Sequence, residues 1–122
     1  MSFELQEGGR MNTISKAKAL EVLGKLMSVN MEKVNGPLVN GVRLLDNWDP
    51  ISDPLTTFRM SLALRLDVNF SGAWVYVSRD EDFDSVAEPA GQFEDVEAAA
   101  CRAIVRAALA LALGHSVDSV EP

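Results

Sequence analysis

Residues 95–113 read DVEAAACRAIVRAALALAL, a stretch that decides the fold because it combines a helical pattern with small side chains. It contains eight alanines, and Arg102 and Arg106 lie one helical turn apart on one face. The polar stripe of the predicted helix is narrow, so most of its surface must be buried. Gly114 is typical of the residue that ends a helix. The helix either covers a sheet or forms part of a homodimer interface, and both roles remain open.

A sheet for this helix to cover is predicted just upstream. Apolar and polar residues alternate over 66–70, which is typical of a strand with one solvated face. Residues 73–78 are predicted to form a second strand, and Ser71-Gly72 suits a tight turn between the two. In the second strand, the alternation places two aromatic side chains on one face and two valines on the other: Trp74 and Tyr76, then Val75 and Val77.

Two further elements are predicted in the first third of the chain. Apolar residues at helical spacing indicate a helix from about 13 to 28, with Thr13 as its N-cap. Asn40-Gly41 suits a two-residue turn with positive φ, and so predicts a hairpin over about 37–46.

The segment WDPISDP, residues 48–54, predicts the start of another helix. Ser52 or Asp53 is a suitable N-cap, and Pro54 fits the first helical turn. An apolar stripe then continues, which indicates a helix over about 54–65.

These elements predict an α+β fold, with helices packed on a small antiparallel sheet in the order α-β-β-α-β-β-α. Length and composition indicate one domain, which we place at 13–115. Residues 1–12 are predicted to form a flexible arm and 116–122 a C-terminal tail. No apolar run is long enough to span a membrane, and the single cysteine fits a reducing cytoplasm.

Negative charge is concentrated in the second half of the chain. Residues 1–65 hold 8 Lys/Arg and 7 Asp/Glu, whereas residues 66–122 hold 3 Lys/Arg and 11 Asp/Glu. Most of these carboxylates belong to a predicted long acidic loop at 79–94. Direct binding to nucleic acid is disfavoured, because the sequence pI is about 4.6 and no basic patch is visible.

Three short segments together resemble the phage ABA-sandwich domain, a family of small phage and prophage proteins. They are Trp48-Asp-Pro-Ile-Ser-Asp53 before a helix, Gly72-Ala-Trp74 at a strand, and Glu97-Ala-Ala-Ala-Cys-Arg-Ala103 opening the last helix. The resemblance implies an α/β sandwich and a phage origin, and it transfers no catalytic residues. The Asn40-Gly41 hairpin and the acidic loop have no counterpart in the family pattern.

The sequence contains few residue patterns that are typical of a metal site or an enzyme active site. Asp80, Asp82 and Asp84 have the spacing that opens a calcium loop, but Ser85 and Gly91 stand where that loop needs glycine and a carboxylate. We therefore interpret the three aspartates as a solvated loop and predict no metal and no cofactor.

His115 and Cys101 are each the single residue of their type. An extended helix would separate them by about 21 Å, which argues against a Cys–His catalytic pair. We interpret Cys101 as a small core residue, and predict that the protein is not an enzyme.

The leading hypothesis is a cytoplasmic phage protein that inhibits a host or defence protein. The target protein is expected to bind nucleic acid, whereas this chain is expected to contact neither nucleic acid nor a membrane. Its predicted contact residues are the carboxylates of the acidic loop: Asp80, Glu81, Asp82, Asp84 and Glu88.

Two alternatives remain open from the sequence. In the first, an oligomer sequesters a nucleotide signal, with aromatic rings stacking on the base and cations binding phosphate. Its candidate residues are Trp48, Trp74, Arg102 and Arg106. Core packing is the competing interpretation of both tryptophans. In the second, the chain is an accessory phage protein whose acidic loop serves only solubility.

Overall fold

The computed structural model describes residues 12–35, 48–91 and 96–122, and these form an α+β fold. Residues 1–11, the predicted hairpin at 37–46 and residues 92–95 lie outside the described residues. The described elements, in chain order, are β1 (Thr13–Ser15), α1 (Lys16–Asn35), α2 (Pro54–Ala63), β2 (Asp67–Ser71), β3 (Trp74–Ser78), β4 (Val86–Pro89), α3 (Val96–Leu113) and β5 (Ser119–Glu121).

The core is built around α3, which packs against β3 and β4 on one side and against α1 and α2 on the others. Val75 and Val77 of β3 are fully buried beneath it, and six alanines of the helix are buried as well. The small side chains allow the helix to lie close to the sheet. The prediction that this helix covers a sheet is therefore confirmed, and an exposed strip remains at positions such as Ala98 and Arg102.

Strands β2, β3 and β4 form an antiparallel sheet with β3 in the centre. The predicted hairpin between β2 and β3 is confirmed, but its turn is Gly72-Ala73, because Ser71 pairs with Trp74. Gly72 has φ of +60°, the conformation that this tight turn requires at its first central position.

The acidic loop predicted at 79–94 is interrupted by β4, so that prediction is wrong over residues 86–89. Val86 pairs with Val77 and Glu88 pairs with Val75, which adds a third strand to the sheet. Strand β4 was not predicted from the sequence because it contains a proline and an inward-facing glutamate, and both are rare in strands.

The predicted start of the first helix is also wrong. Thr13 lies in β1 and pairs with Ser119 of β5, and α1 begins at Lys16. Ser15 serves as the cap, since its hydroxyl accepts a hydrogen bond from the Lys18 amide at 3.2 Å. The C-terminal segment, predicted to be a tail, thus contributes a strand that runs parallel to β1.

The segment before α2 forms a tight turn around Asp49. One of its carboxylate oxygens accepts the amides of Ile51 and Ser52 at 3.0 Å, and the other lies 3.1 Å from the Lys16 ammonium. Helix α2 begins at Pro54 as predicted. Asp53 occupies the N-cap position but makes no side-chain bond to the helix amides.

Substitution of Gly114 tests whether the backbone conformation that ends α3 requires glycine. Its φ of +81° is unfavourable for any residue with a Cβ, although an added Cβ would meet no atom within 4 Å. We expect Gly114→Ala to lower the free energy of unfolding by about 1 kcal/mol, measured by urea denaturation. Gly114→Asn should lose less, because asparagine tolerates this backbone conformation; equal losses would contradict the conformational explanation.

Asp49 predicts a pH-dependent contribution to stability. Burial raises the pKa of its carboxyl, but hydrogen bonds from Ser52, Lys16 and Ile51 outweigh burial, so the pKa lies below its ordinary value of 3.8. A lowered pKa stabilises the fold above the unfolded-state value, and this stabilisation is lost as pH falls through the folded-state value.

Asp49→Asn should therefore cost about 1 kcal/mol at pH 7, and less as the pH falls below about 4. Urea unfolding curves of both proteins across this range check the prediction. A difference that stays constant with pH would show that the charge of Asp49 does not contribute.

Candidate functional site

The acidic segment between β3 and β4, residues 79–85, is a tight turn held by Arg79. The Arg79 Nε lies 2.7 Å from an Asp82 carboxylate oxygen, and its Nη1 donates to the Leu64 carbonyl at 3.1 Å. The Asp82 amide in turn donates to the Arg79 carbonyl at 3.0 Å. We call residues 79–85 the acidic turn.

Phe83 fastens the acidic turn to the body of the protein, because its ring is half-buried and packs against the core. Asp80, Glu81 and Asp84 are exposed around it. Asp80 has φ of +46°, a conformation that aspartate adopts more readily than most residues. With Asp82, which is exposed but paired, the turn thus presents four exposed carboxylates on an anchored backbone.

Glu88, the fifth predicted contact residue, does not belong to this turn. It lies in β4, its side chain is only 13% exposed, and two arginines of α3 bind it. Arg102 Nε lies 3.0 Å from one carboxylate oxygen, and Arg106 Nη1 lies 2.6 Å from the other. Glu88 is therefore bound within the fold rather than offered to a partner.

Arg106 also joins two other parts of the chain. Its Nε donates to the Val117 carbonyl at 2.8 Å, and its Nη1 donates to the Ala87 carbonyl at 3.1 Å. One guanidinium thus connects α3 to β4 and to the segment that leads into β5. The predicted arginine pair has a structural role that the sequence did not indicate.

The tryptophans and arginines of the nucleotide hypothesis are not brought together. Trp74 is 45% exposed and points away from α3, because its neighbour Val75 is buried beneath that helix. Glu88 and the two arginines lie on the Val75 side of the sheet. The core interpretation is wrong for Trp74, whereas Trp48 is half-buried against the core.

A groove of about 290 Å³ runs beside Arg102 and Arg106, and Cys101 lines it. Burial raises the pKa of the Cys101 thiol above its ordinary value, and a hydrogen bond with Thr57 opposes this only partly. The thiol is therefore protonated at neutral pH and is a poor nucleophile. Cys101 is half-buried, so the expected core position is only partly reached.

A smaller cleft of about 200 Å³ separates the acidic turn from the end of α3. His115 lines it together with Asp82 and Asp84, and its Nδ1 lies 3.3 Å from the side-chain Nδ2 of Asn12. No pattern in the sequence indicated that His115 lies close to these aspartates. Its position beside the turn depends on how α3 lies on the sheet, which no local pattern indicates.

Within residues 12–35, 48–91 and 96–122, no cluster of three or more His, Cys, Asp or Glu side chains could hold a metal ion. Asp82 is bound to Arg79 instead of joining Asp80 and Asp84 around a cation. Among the described helices, none has the length and apolar character needed to cross a membrane.

The chain matches no protein-family model, no curated protein and no solved structure.

Removal of Glu88 should destabilise the protein more than removal of Arg102. Glu88→Ala leaves the half-buried Arg106 without its carboxylate, and we expect a loss of about 2 to 3 kcal/mol in the free energy of unfolding. Arg102→Ala should cost at most about 1 kcal/mol, because that side chain is 52% exposed.

Urea denaturation of the two variants and the wild type measures both losses. Equal losses in Glu88→Ala and Arg102→Ala would contradict the central position of Glu88.

Proposed function

We propose that this protein is a non-enzymatic binding protein whose acidic turn contacts a basic surface of another protein. The observation that carries the proposal is the exposure of Asp80, Glu81 and Asp84 on a turn that Arg79 and Phe83 hold against the body of the protein. Asp82 holds the turn in shape through Arg79 and is a lesser contributor to the contact.

An anchored turn suits binding for an energetic reason. Ordering a loose loop on association costs free energy for each side chain and backbone unit that is immobilised, and an already ordered turn avoids much of this cost. Three carboxylates on one turn also attract a basic partner over a distance and raise the association rate. Binding should therefore weaken as salt is added.

The proposal extends to the kind of partner through the resemblance to small phage proteins. A basic surface that carboxylates can occupy is typical of proteins that bind phosphate groups of nucleic acid. We therefore include in the proposal a phage origin, a cytoplasmic location and a host or defence protein as the target that is inhibited.

Three substitutions in the acidic turn test the contact: Asp80→Asn, Glu81→Lys and Asp84→Lys in one chain. Asparagine is chosen at position 80 because it tolerates the positive φ there. We expect the combined variant to lose at least about tenfold in affinity for a basic target isolated with the wild-type protein from host lysate, since two charges are reversed and one removed. Calorimetry at low and high salt measures this loss.

A matched control changes the net charge equally at exposed positions away from the turn, namely Glu21→Lys, Glu121→Lys and Glu97→Gln. This control should retain most of the affinity. Equal losses in the two variants would mean that net charge alone governs association. Full affinity in the turn variant would reject the turn as the contact.

A further inference from the structure

The face of the three-stranded sheet that points away from α3 carries exposed aromatic side chains. Trp74 is 45% exposed and Tyr76 is 38% exposed, and they are two residues apart on β3, so their Cα atoms are separated by about 7 Å. Val75 and Val77, which point the other way, are fully buried. We call this surface the outer sheet face.

The charge of the outer sheet face is negative. Asp67 of β2 lies opposite Ser78 and is exposed, which places it diagonally across from Tyr76 at about 7 Å. The strand alternation places no lysine or arginine on this face of the described sheet. Its outward positions are Asp67, Asn69, Ser71, Trp74, Tyr76, Ser78, Ala87 and Pro89.

The outer sheet face leads directly into the acidic turn. Ser78 is the last residue of β3 and Arg79 opens the turn, so about 7 Å of strand separates Tyr76 from the end of β3. The two aromatic rings and the Asp67 carboxylate thus lie on the outer sheet face, and the acidic turn begins at the residue that follows its last strand position.

We propose that the outer sheet face docks an arginine-bearing segment of the partner protein, with guanidinium groups stacked on Trp74 and Tyr76 and paired with Asp67. This inference rests on the proposed function and specifies the chemistry of its partner. A guanidinium is planar and weakly hydrated, so it can stack on an aromatic ring while it donates to a carboxylate. A lysine ammonium is more strongly hydrated and lacks the planar stacking surface.

A second copy of this chain fits the face poorly. Asp67 would meet no cation from the strands of a second copy, because the outward positions of the described strands contain no lysine or arginine. The formal net charge of −7 per chain also opposes association of two copies. Charge complementarity therefore selects a cationic occupant.

The probes for this proposal are a short arginine-rich peptide and the same peptide with lysine at each arginine. Trp48→Phe leaves Trp74 as the single tryptophan, so its fluorescence reports on the outer sheet face. We expect the arginine peptide to change this fluorescence and to bind about two- to fivefold more tightly than the lysine peptide for each ring that stacks.

The variants Trp74→Thr and Tyr76→Thr remove the rings, and threonine is chosen because it keeps the preference for strand conformation. Each should reduce the preference for arginine over lysine, and together they should abolish it; calorimetry measures this preference, because Trp74→Thr removes the fluorescent reporter. Leu62→Ala is the matched control, since Leu62 is an apolar side chain on α2 with 76% exposure, and it should leave the preference unchanged.

The outcomes separate this inference from the proposed function. Binding that depends on the acidic turn but shows equal affinity for both peptides would overturn the docking of arginine and leave the acidic contact intact. Binding that survives the turn substitutions but is lost with Trp74→Thr would support the outer sheet face and reject the turn.

Two measurements on the free protein exclude other occupants. Light scattering that showed a dimer in the wild type and a monomer in Trp74→Thr would assign the face to a second copy and overturn the inference. Protection of Trp74 from a neutral quencher in the free monomer would mean that the chain itself covers the face, which also overturns it.

Discussion

The close packing of α3 against the sheet is the constraint on which the rest of the structure depends. Alanines along the helix face, such as Ala99 and Ala103, are fully buried and allow the helix backbone to approach Val75 and Val77 of β3. Larger side chains at these positions would push the helix away and leave voids, which cores of this kind tolerate poorly. The remaining helices and strands are placed around this contact.

The same contact explains why a glutamate can lie in the middle of the fold. Once α3 is close to β4, Arg102 and Arg106 reach Glu88 from one helix face, and Arg106 also reaches the Val117 carbonyl. A carboxylate with low exposure is costly unless cations and donors satisfy it. The arginines and the glutamate that were predicted to bind a ligand or a partner thus connect the last helix to the sheet and to the C-terminal segment.

The surfaces proposed to bind a partner lie away from this interior network. The acidic turn extends from the end of β3, and the outer sheet face is the side of the sheet that α3 does not cover. Both keep exposed side chains on an anchored backbone, so they combine low ordering cost with specific chemistry. A rigid interior and a chemically distinct outer face therefore arise from the same antiparallel sheet.

Local patterns in the sequence determined α2, α3, the β2–β3 hairpin and the acidic character of the turn, because periodicity, helix-ending glycine and strand alternation act between near neighbours. Tertiary structure alone decided the rest. Strand β4 depends on arginines that neutralise Glu88 from 14 and 18 residues away, and β1 depends on β5 at the other end of the described chain. Glu88 is bound within the fold and Trp74 is exposed because α3 covers one face of the sheet and not the other. Tertiary packing determines which face is covered, and no local pattern indicates it.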